Sequence, residues 1–237
     1  DDTLTKSYTV GDSGNISGDL GALAGGPGAT LSILGNDKVL DGNGFAGLEI
    51  ADQQKLNIDD TLVSNFASAL GGAVSSSGTV TVTNSSFTGN RGGKAGAVYS
   101  TGDVTVNADG KISRFSGNTL TTDLSNAVFM DDSSATLKLN AVNSGQIVFD
   151  DRIDGADGYT VEVYGDKNSS VLFNNYVDHA GAVKIYGSDT RLAEENLLDG
   201  TNIALNGGTL NLSNGRFGTA TFADFSNAGG NLKLDAD

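Results

Sequence analysis

One phrase is written twice between Gly71 and Asn118, and it constrains the fold more than any other feature of the chain. A small-residue corner comes first, Gly71-Gly72-Ala73-Val74 and then Gly96-Ala97-Val98. A short alternating strand follows, Thr79 to Thr83 and then Val104 to Val106. A Phe-x-x-Asn closes each copy, at Phe87 to Asn90 and at Phe115 to Asn118. The corner recurs from Gly72 to Gly96, and the closure, at a slightly longer interval, from Phe87 to Phe115. A repeat of this length, built from strand and turn residues, predicts a solenoid.

The rest of the chain continues the pattern more loosely. Leu31 to Leu34, Gly47 to Ile50 and Lys55 to Ile58 are short apolar pieces. Asn36-Asp37, Asp41-Gly42-Asn43-Gly44 and Asp52-Gln53-Gln54 separate them, and such residues accept the backbone of tight turns. Phe66 stands where a first closure is expected, but without its Asn. After Asn118, Ala127-Val128 and Ala180-Gly181-Ala182-Val183 read as further corners. Thr136 to Asn140, Ile147 to Phe149, Thr160 to Tyr164, Val171 to Phe173, Asn202 to Asn206 and Thr209 to Leu212 read as short strands. Asp189 to Leu198 reads either as a short helix or as a looped-out corner.

Long helices between strands are missing, which argues against βαβ units, and the strands are too short for a sandwich. Short strands on a period of roughly 20–30 residues predict an all-β parallel β-helix. About ten coils fit the length, giving a rod on the order of 50 Å at a strand spacing of ~4.8 Å. Residues 1–30 are polar and Gly-rich and are expected to lead in or cap, with residues 31–237 forming the helix. In such a rod each Gly-Gly-Ala is a corner that points only a methyl group inward. Phe87 and Phe115 stack inside. Asn90 and Asn118 sit at turns, in the left-handed region, with their amides bonding to the neighbouring coil.

Charge and composition then exclude several functions. The formal charge is −15, from 14 basic and 29 acidic residues. Nucleic acid and anionic membrane surfaces are repelled by that balance. No apolar run is long enough to span a bilayer as a helix. No signal peptide is visible, and Asp1 suggests a processed or excised segment. The absence of Cys excludes disulfides and thiolate chemistry.

Candidate chemistry is sparse. Gly11-Asp12-Ser13-Gly14 reproduces the setting of a serine-protease nucleophile, but no His precedes it, so a turn is expected. His179 is the only histidine and its neighbour Asp178 is expected on the opposite face, so an exposed turn residue is expected rather than a base. One His also argues against zinc. Asp131-Asp132, Asp150-Asp151 with Arg152, and Asp154 could form a carboxylate patch if one coil ran only from Asp131 to Asp150. Their positions after a corner and after a strand put them on different edges instead. Solvated turns are expected there, with an acid–base active site or an incidental calcium ion as the alternatives. Thr79, Thr81 and Thr83 resemble one row of an ice-binding face, but Val104-Thr105-Val106 breaks the run. Tyr99, Tyr159, Tyr164, Tyr176 and Tyr186 are candidate contact residues, some of them candidate core.

The paired motifs resemble polymorphic outer membrane proteins and related bacterial autotransporter passenger domains. The residues that carry this are GGAV at 71–74, FTGN at 87–90, FSGN at 115–118, and partial matches at 96–98 and 181–183. The stretch ALNGGTLNLSNG at 204–215 is similar to autotransporter stalks. The resemblance implies a right-handed parallel β-helix, export through an outer membrane, and location at the bacterial cell surface or in the medium. It implies a non-enzymatic role in adhesion or self-association, with no cofactor. The partner would be a host-cell surface molecule or another copy of the chain. Gly71, Gly72, Ala73, Val74, Phe87, Asn90, Gly96, Ala97, Val98, Phe115 and Asn118 are then structural motif residues. Any adhesive contribution would come through the turns at Ser75 to Gly78 and Arg91 to Lys94 that they shape. A polysaccharide-degrading β-helix and a passive spacer are the alternatives.

Overall fold

The computed structural model describes residues 5–11, 14–194, 196–213 and 221–234. Ten strands stack along one face, one per coil. They run from Thr5–Thr9 and Thr30–Asp41 through Lys55–Ser64, Thr79–Thr83, Val104–Asp109 and Thr136–Val142. The stack continues through Thr160–Gly165, Ala182–Ile185 and Asn202–Leu205 to Asp224–Asn227. Each pairs with the next in parallel. The chain is a parallel β-helix of about nine turns. A second face carries Ser86–Thr88, Ile112–Ser116, Gln146–Phe149, Ser170–Phe173 and Asp189–Leu192. A third, the corner face, carries Leu48–Ile50, Val74–Ser76, Val98–Ser100, Val128–Met130 and Ile153–Gly155. The expected lead-in segment contributes Thr5–Thr9 to the first face and Gly21–Ala22 to the corner face. Of the stalk-like stretch at 204–215, Asn214 and Gly215 lie outside the described residues.

Registers turn the alternating sequence into rows. Leu56, Val80, Val104, Leu137, Val161, Val183 and Ile203 line up inside the first face, all essentially inaccessible to water. Because the side-chain period is two, the residues between them point outward. The threonine run at 79–83 meets Lys55, Asn57 and Asp59 on one side, so no flat threonine array forms. Coil length is not constant. The turn of the rod from Val104 to Leu137 is longer than the one from Val80 to Val104, and the one from Val183 to Ile203 is shorter than both. The long coil loops out between Leu120 and Asn126, where the Leu120 N–H bonds the Leu124 carbonyl.

Inside the second face, Phe87, Phe115, Phe149 and Phe173 form a stack with no exposed surface. Successive ring centroids are 5.2, 4.7 and 6.0 Å apart, with planes within 14°. Burying each ring contributes roughly 1.5–3 kcal/mol, and the offset stacking adds to it. Beside the rings runs a polar ladder. Asn90 Nδ2 donates to the Val63 carbonyl (3.1 Å) and to Asn118 Oδ1 (2.9 Å). Asn118 Nδ2 donates to the Phe87 carbonyl (2.9 Å) and to Asp151 Oδ2 (2.8 Å). Asp151 also accepts from the backbone N–H of Gly117 (3.0 Å) and of Asn118 (2.8 Å). Both amides and the carboxylate are buried and satisfied by adjacent coils.

The expected left-handed asparagines are corrected. Positive φ falls on the preceding glycines, Gly89 (64°) and Gly117 (67°), which have no Cβ to clash there. Asn90 and Asn118 keep ordinary backbones and supply only the amide. The corner glycines serve a different need. A Cβ on Gly96 would lie 2.4 Å from the Thr119 nitrogen, and one on Gly72 2.1 Å from the Gly96 carbonyl oxygen. These positions need close backbone approach between coils, not an unusual φ.

Four further expectations change. Val63, not Phe66, lies in register with Phe87, and the Phe66 N–H donates to Asn90 Oδ1 (3.0 Å), so Phe66 occupies the ladder position instead. Ala127-Val128 does align with Ala97-Val98, but Ala182-Val183 pairs with Thr160-Val161 on the first face and is no corner. Two strands are longer than expected, 12 residues at Thr30–Asp41 and 10 at Lys55–Ser64. Each bends where Asn36, Asp37 or Asp60 takes positive φ. The 189–198 segment is a strand, Asp189–Leu192, followed by a turn; Glu195 lies outside the described residues. Thr190 and Leu192 point inward in register with Val171 and Phe173, a period-two pattern that a helix could not satisfy.

Candidate functional site

The corner motif places its hydrophobic residue inward and so turns the next residue outward. Val74, Val98, Val128 and Ile153 are buried in one row. Their successors Ser75, Tyr99, Phe129 and Asp154, together with Glu49 one coil earlier, form an outward row with one side chain per coil. This row mixes aromatic, hydroxyl and carboxylate side chains.

Its centre is aromatic. Tyr99 and Phe129 are stacked at 6.3 Å with planes 15° apart. The Lys94 ammonium lies 5.1 Å from the Phe129 centroid, a cation–π contact. The Tyr99 hydroxyl donates to Asp131 Oδ2 at 2.8 Å. Burial, reinforced by that carboxylate, pushes the Tyr99 phenol up to about 12. The phenol therefore stays protonated at neutral pH and holds the ring in place. On the other side of Tyr99 the row steps down to Ser75, whose Oγ accepts from the Gly71 N–H (3.1 Å). That step opens a groove of about 370 Å³ lined by Tyr99, Ser75, Ser77, Ser68, Leu70 and Glu49, among others.

The other end of the row is ionic. His179 Nδ1 lies 2.7 Å from Asp154 Oδ1. Arg152 bridges Asp154 (3.2 Å) and Asp178. His179 takes φ 60°, and this turn swings its ring onto Asp154 of the preceding coil. The hydrogen bond with Asp154 raises the imidazole pKa against a smaller desolvation effect, and the charges of Asp154, Asp157 and Asp178 add to it. The arrangement favours the protonated imidazole. The signal for it in the sequence is the one-coil spacing of Asp154 and His179, which a search of chain neighbours misses.

The structure separates the other acidic residues. Asp131 follows a corner strand and Asp150 a second-face strand, so the two pairs do not share an edge. Asp132 caps its own turn through the Ser134 N–H and hydroxyl, both at 2.7 Å, and those bonds lower its pKa. Asp150 pairs with Arg114 at 2.5 Å, and Asp151 belongs to the buried ladder. Among the described residues no group of three or more His, Asp and Glu side chains is arranged to hold a metal ion. In the 11–14 motif, Asp12 and Ser13 lie outside the described residues.

The tyrosines divide by row. Tyr159 is buried, and its hydroxyl donates to the Asp178 carbonyl (2.9 Å). Tyr164 and Tyr186 stack at 4.8 Å on the outer first face, with Lys138 Nζ 4.6 Å from the Tyr164 centroid. Tyr176 is exposed. The motif residues Gly71, Gly72, Ala73, Val74, Phe87, Asn90, Gly96, Ala97, Val98, Phe115 and Asn118 are all buried. They meet a ligand only through what they position.

Fold and row together define a class, a parallel β-helix rod with mixed aromatic and ionic chemistry on its outer corner face. No protein-family model, curated protein or solved structure matches the chain.

Proposed function

We propose that the chain is a non-enzymatic passenger displayed at a bacterial surface or released from it, and that it binds a host-cell surface molecule or another copy of itself. The observation that supports this reading is the outward row Glu49, Ser75, Tyr99, Phe129, Asp154. It offers one side chain per coil, spaced at ~4.8 Å along a stiff support. Such a surface binds through many modest contacts and gains strength when several rods engage together. The buried motifs hold the row straight, and the row carries the contacts. Resemblance of the paired corner and closure motifs to passenger domains supports the location.

The competing reading is a polysaccharide-degrading enzyme, favoured by His179 and Asp154 at 2.7 Å beside Arg152. Two measurements on the purified chain separate them. The labelled protein is titrated onto cells and onto immobilised protein. In parallel it is incubated with acidic polysaccharides while reducing ends and unsaturated products are measured. Saturable binding without turnover is the expected result. Turnover without saturable binding would replace the adhesive reading with the enzymatic one.

A further inference from the structure

The groove beside Tyr99 has a shape and lining that the buried scaffold does not require. Tyr99 is covered on one ring face by Phe129 and held at its hydroxyl by Asp131, so the ring is fixed. Its other face turns toward the preceding coil. There the small Ser75, drawn back onto the Gly71 N–H, leaves the space open. Leu70, exposed, forms a second apolar wall. The opposite end carries the exposed Glu49 carboxylate, which has no hydrogen-bond or ion-pair partner among the described residues. Ser77 lies on the rim.

We propose that this groove binds a neutral saccharide, one pyranose ring seated on the open face of Tyr99. A pyranose presents a patch of C–H groups on one side, and these meet the negative face of an aromatic ring favourably. Its hydroxyls come in adjacent pairs that a carboxylate accepts through both oxygens. Glu49 supplies that carboxylate, and Ser77 supplies a hydroxyl able to donate or accept. A volume of about 370 Å³ holds one or two sugar rings. Charge selects within the class. Glu49 and the net charge of −15 disfavour uronic and sialic acids. This deepens the adhesive reading and rests on it, since it names one of the contacts through which the rod would hold a cell surface.

The test is saturation-transfer NMR and titration of the whole chain with β1,4-linked glucose and N-acetylglucosamine tetramers, and with a uronic acid tetramer. The same preparation is titrated onto cells. The expected result is binding of a neutral tetramer in the millimolar range or tighter. Tyr99→Ala should weaken it at least tenfold, and Tyr99→Phe should preserve it, because the ring face remains. Ser75→Phe, which fills the groove without touching the Tyr99–Asp131 bond, should abolish it. Circular dichroism and urea midpoints check that each variant folds. Neutral binding that survives both Tyr99→Ala and Ser75→Phe would overturn the assignment to this groove. Binding of the uronic tetramer alone would overturn the ligand class. If no tetramer binds while the rod still saturates on cells, the saccharide inference fails and the adhesive reading stands. If neither binds, the host-cell arm of the adhesive reading fails as well.

Discussion

Asn118→Ala removes four side-chain hydrogen bonds from the interior of the rod. Asn118 Oδ1 accepts from the Asn90 N–H (3.3 Å) and Asn90 Nδ2 (2.9 Å). Asn118 Nδ2 donates to the Phe87 carbonyl (2.9 Å) and to the Asp151 carboxylate (2.8 Å). The site has no exposed surface, so water does not replace these partners. A neutral bond contributes about 0.5–1.5 kcal/mol and one to a charged group about 1.5–3 kcal/mol. The expected loss is therefore about 4 kcal/mol, with the unpaired Asn90 N–H contributing. With a urea m-value of about 3 kcal/mol/M, the midpoint should fall by roughly 1.3 M. Because each coil contacts mainly its neighbours, the loss should be local. Amide exchange should accelerate around 87–90 and 115–118 before it changes at 160–185. The matched control is Asn107→Ala on the outer face. Its amide donates to Thr83 Oγ1 at 3.3 Å and accepts from Asn140 at 3.4 Å, half-buried. It should cost about 0.5 kcal/mol. An Asn118→Ala midpoint no lower than that of Asn107→Ala would refute the claim that the closure motif is a buried ladder.

Phe115→Ala opens the aromatic stack between Phe87 at 5.2 Å and Phe149 at 4.7 Å, and should cost about 3–5 kcal/mol by urea denaturation. Gly96→Ala drives a Cβ to 2.4 Å from a backbone nitrogen and should cost about 1–3 kcal/mol, whereas Gly18→Ala, with nothing within 4 Å, should be close to neutral. His179 has its folded pKa raised by Asp154, so its stabilisation is complete below the unfolded value and fades as pH rises through the folded one. The ring is half exposed, which limits the effect to about 0.5 kcal/mol, absent in His179→Gln. An NMR titration of this single histidine should have its midpoint above ~6.5, and one at or below it would contradict the Asp154 contact.

How much of this was legible in the sequence depended on whether a feature repeats. Two copies of corner, strand and closure were enough to give a solenoid, because stacking is the only way such short strands bury an inner face. The Phe87–Phe115 stack followed from the same logic, and the amide contacts between coils did too. The Phe149 and Phe173 continuation was hidden, because their strands lack the closing Asn. Asp151 takes the place of that Asn in the ladder, and a carboxylate there reads in sequence as a solvated acidic turn. Gly181-Ala182-Val183 misled because the coils beyond Val161 are shorter than those before it, so the same letters fall on a different face. The outward row was partly visible as single residues, Tyr99 and Asp154, and the partner of its ionic end as His179. Their assembly depends on register between coils, which a linear reading does not supply.

The central claim is that the buried motifs build the rod and the outer corner row does the binding. It is tested most directly by measuring saturable cell binding and the urea midpoint together for Tyr99→Ala/Phe129→Ala and for Asn90→Ala. The account predicts that the double variant loses binding while keeping most of the wild-type midpoint, and that Asn90→Ala loses its midpoint first, with binding falling only as the rod unfolds. Undiminished binding in the folded double variant would contradict it.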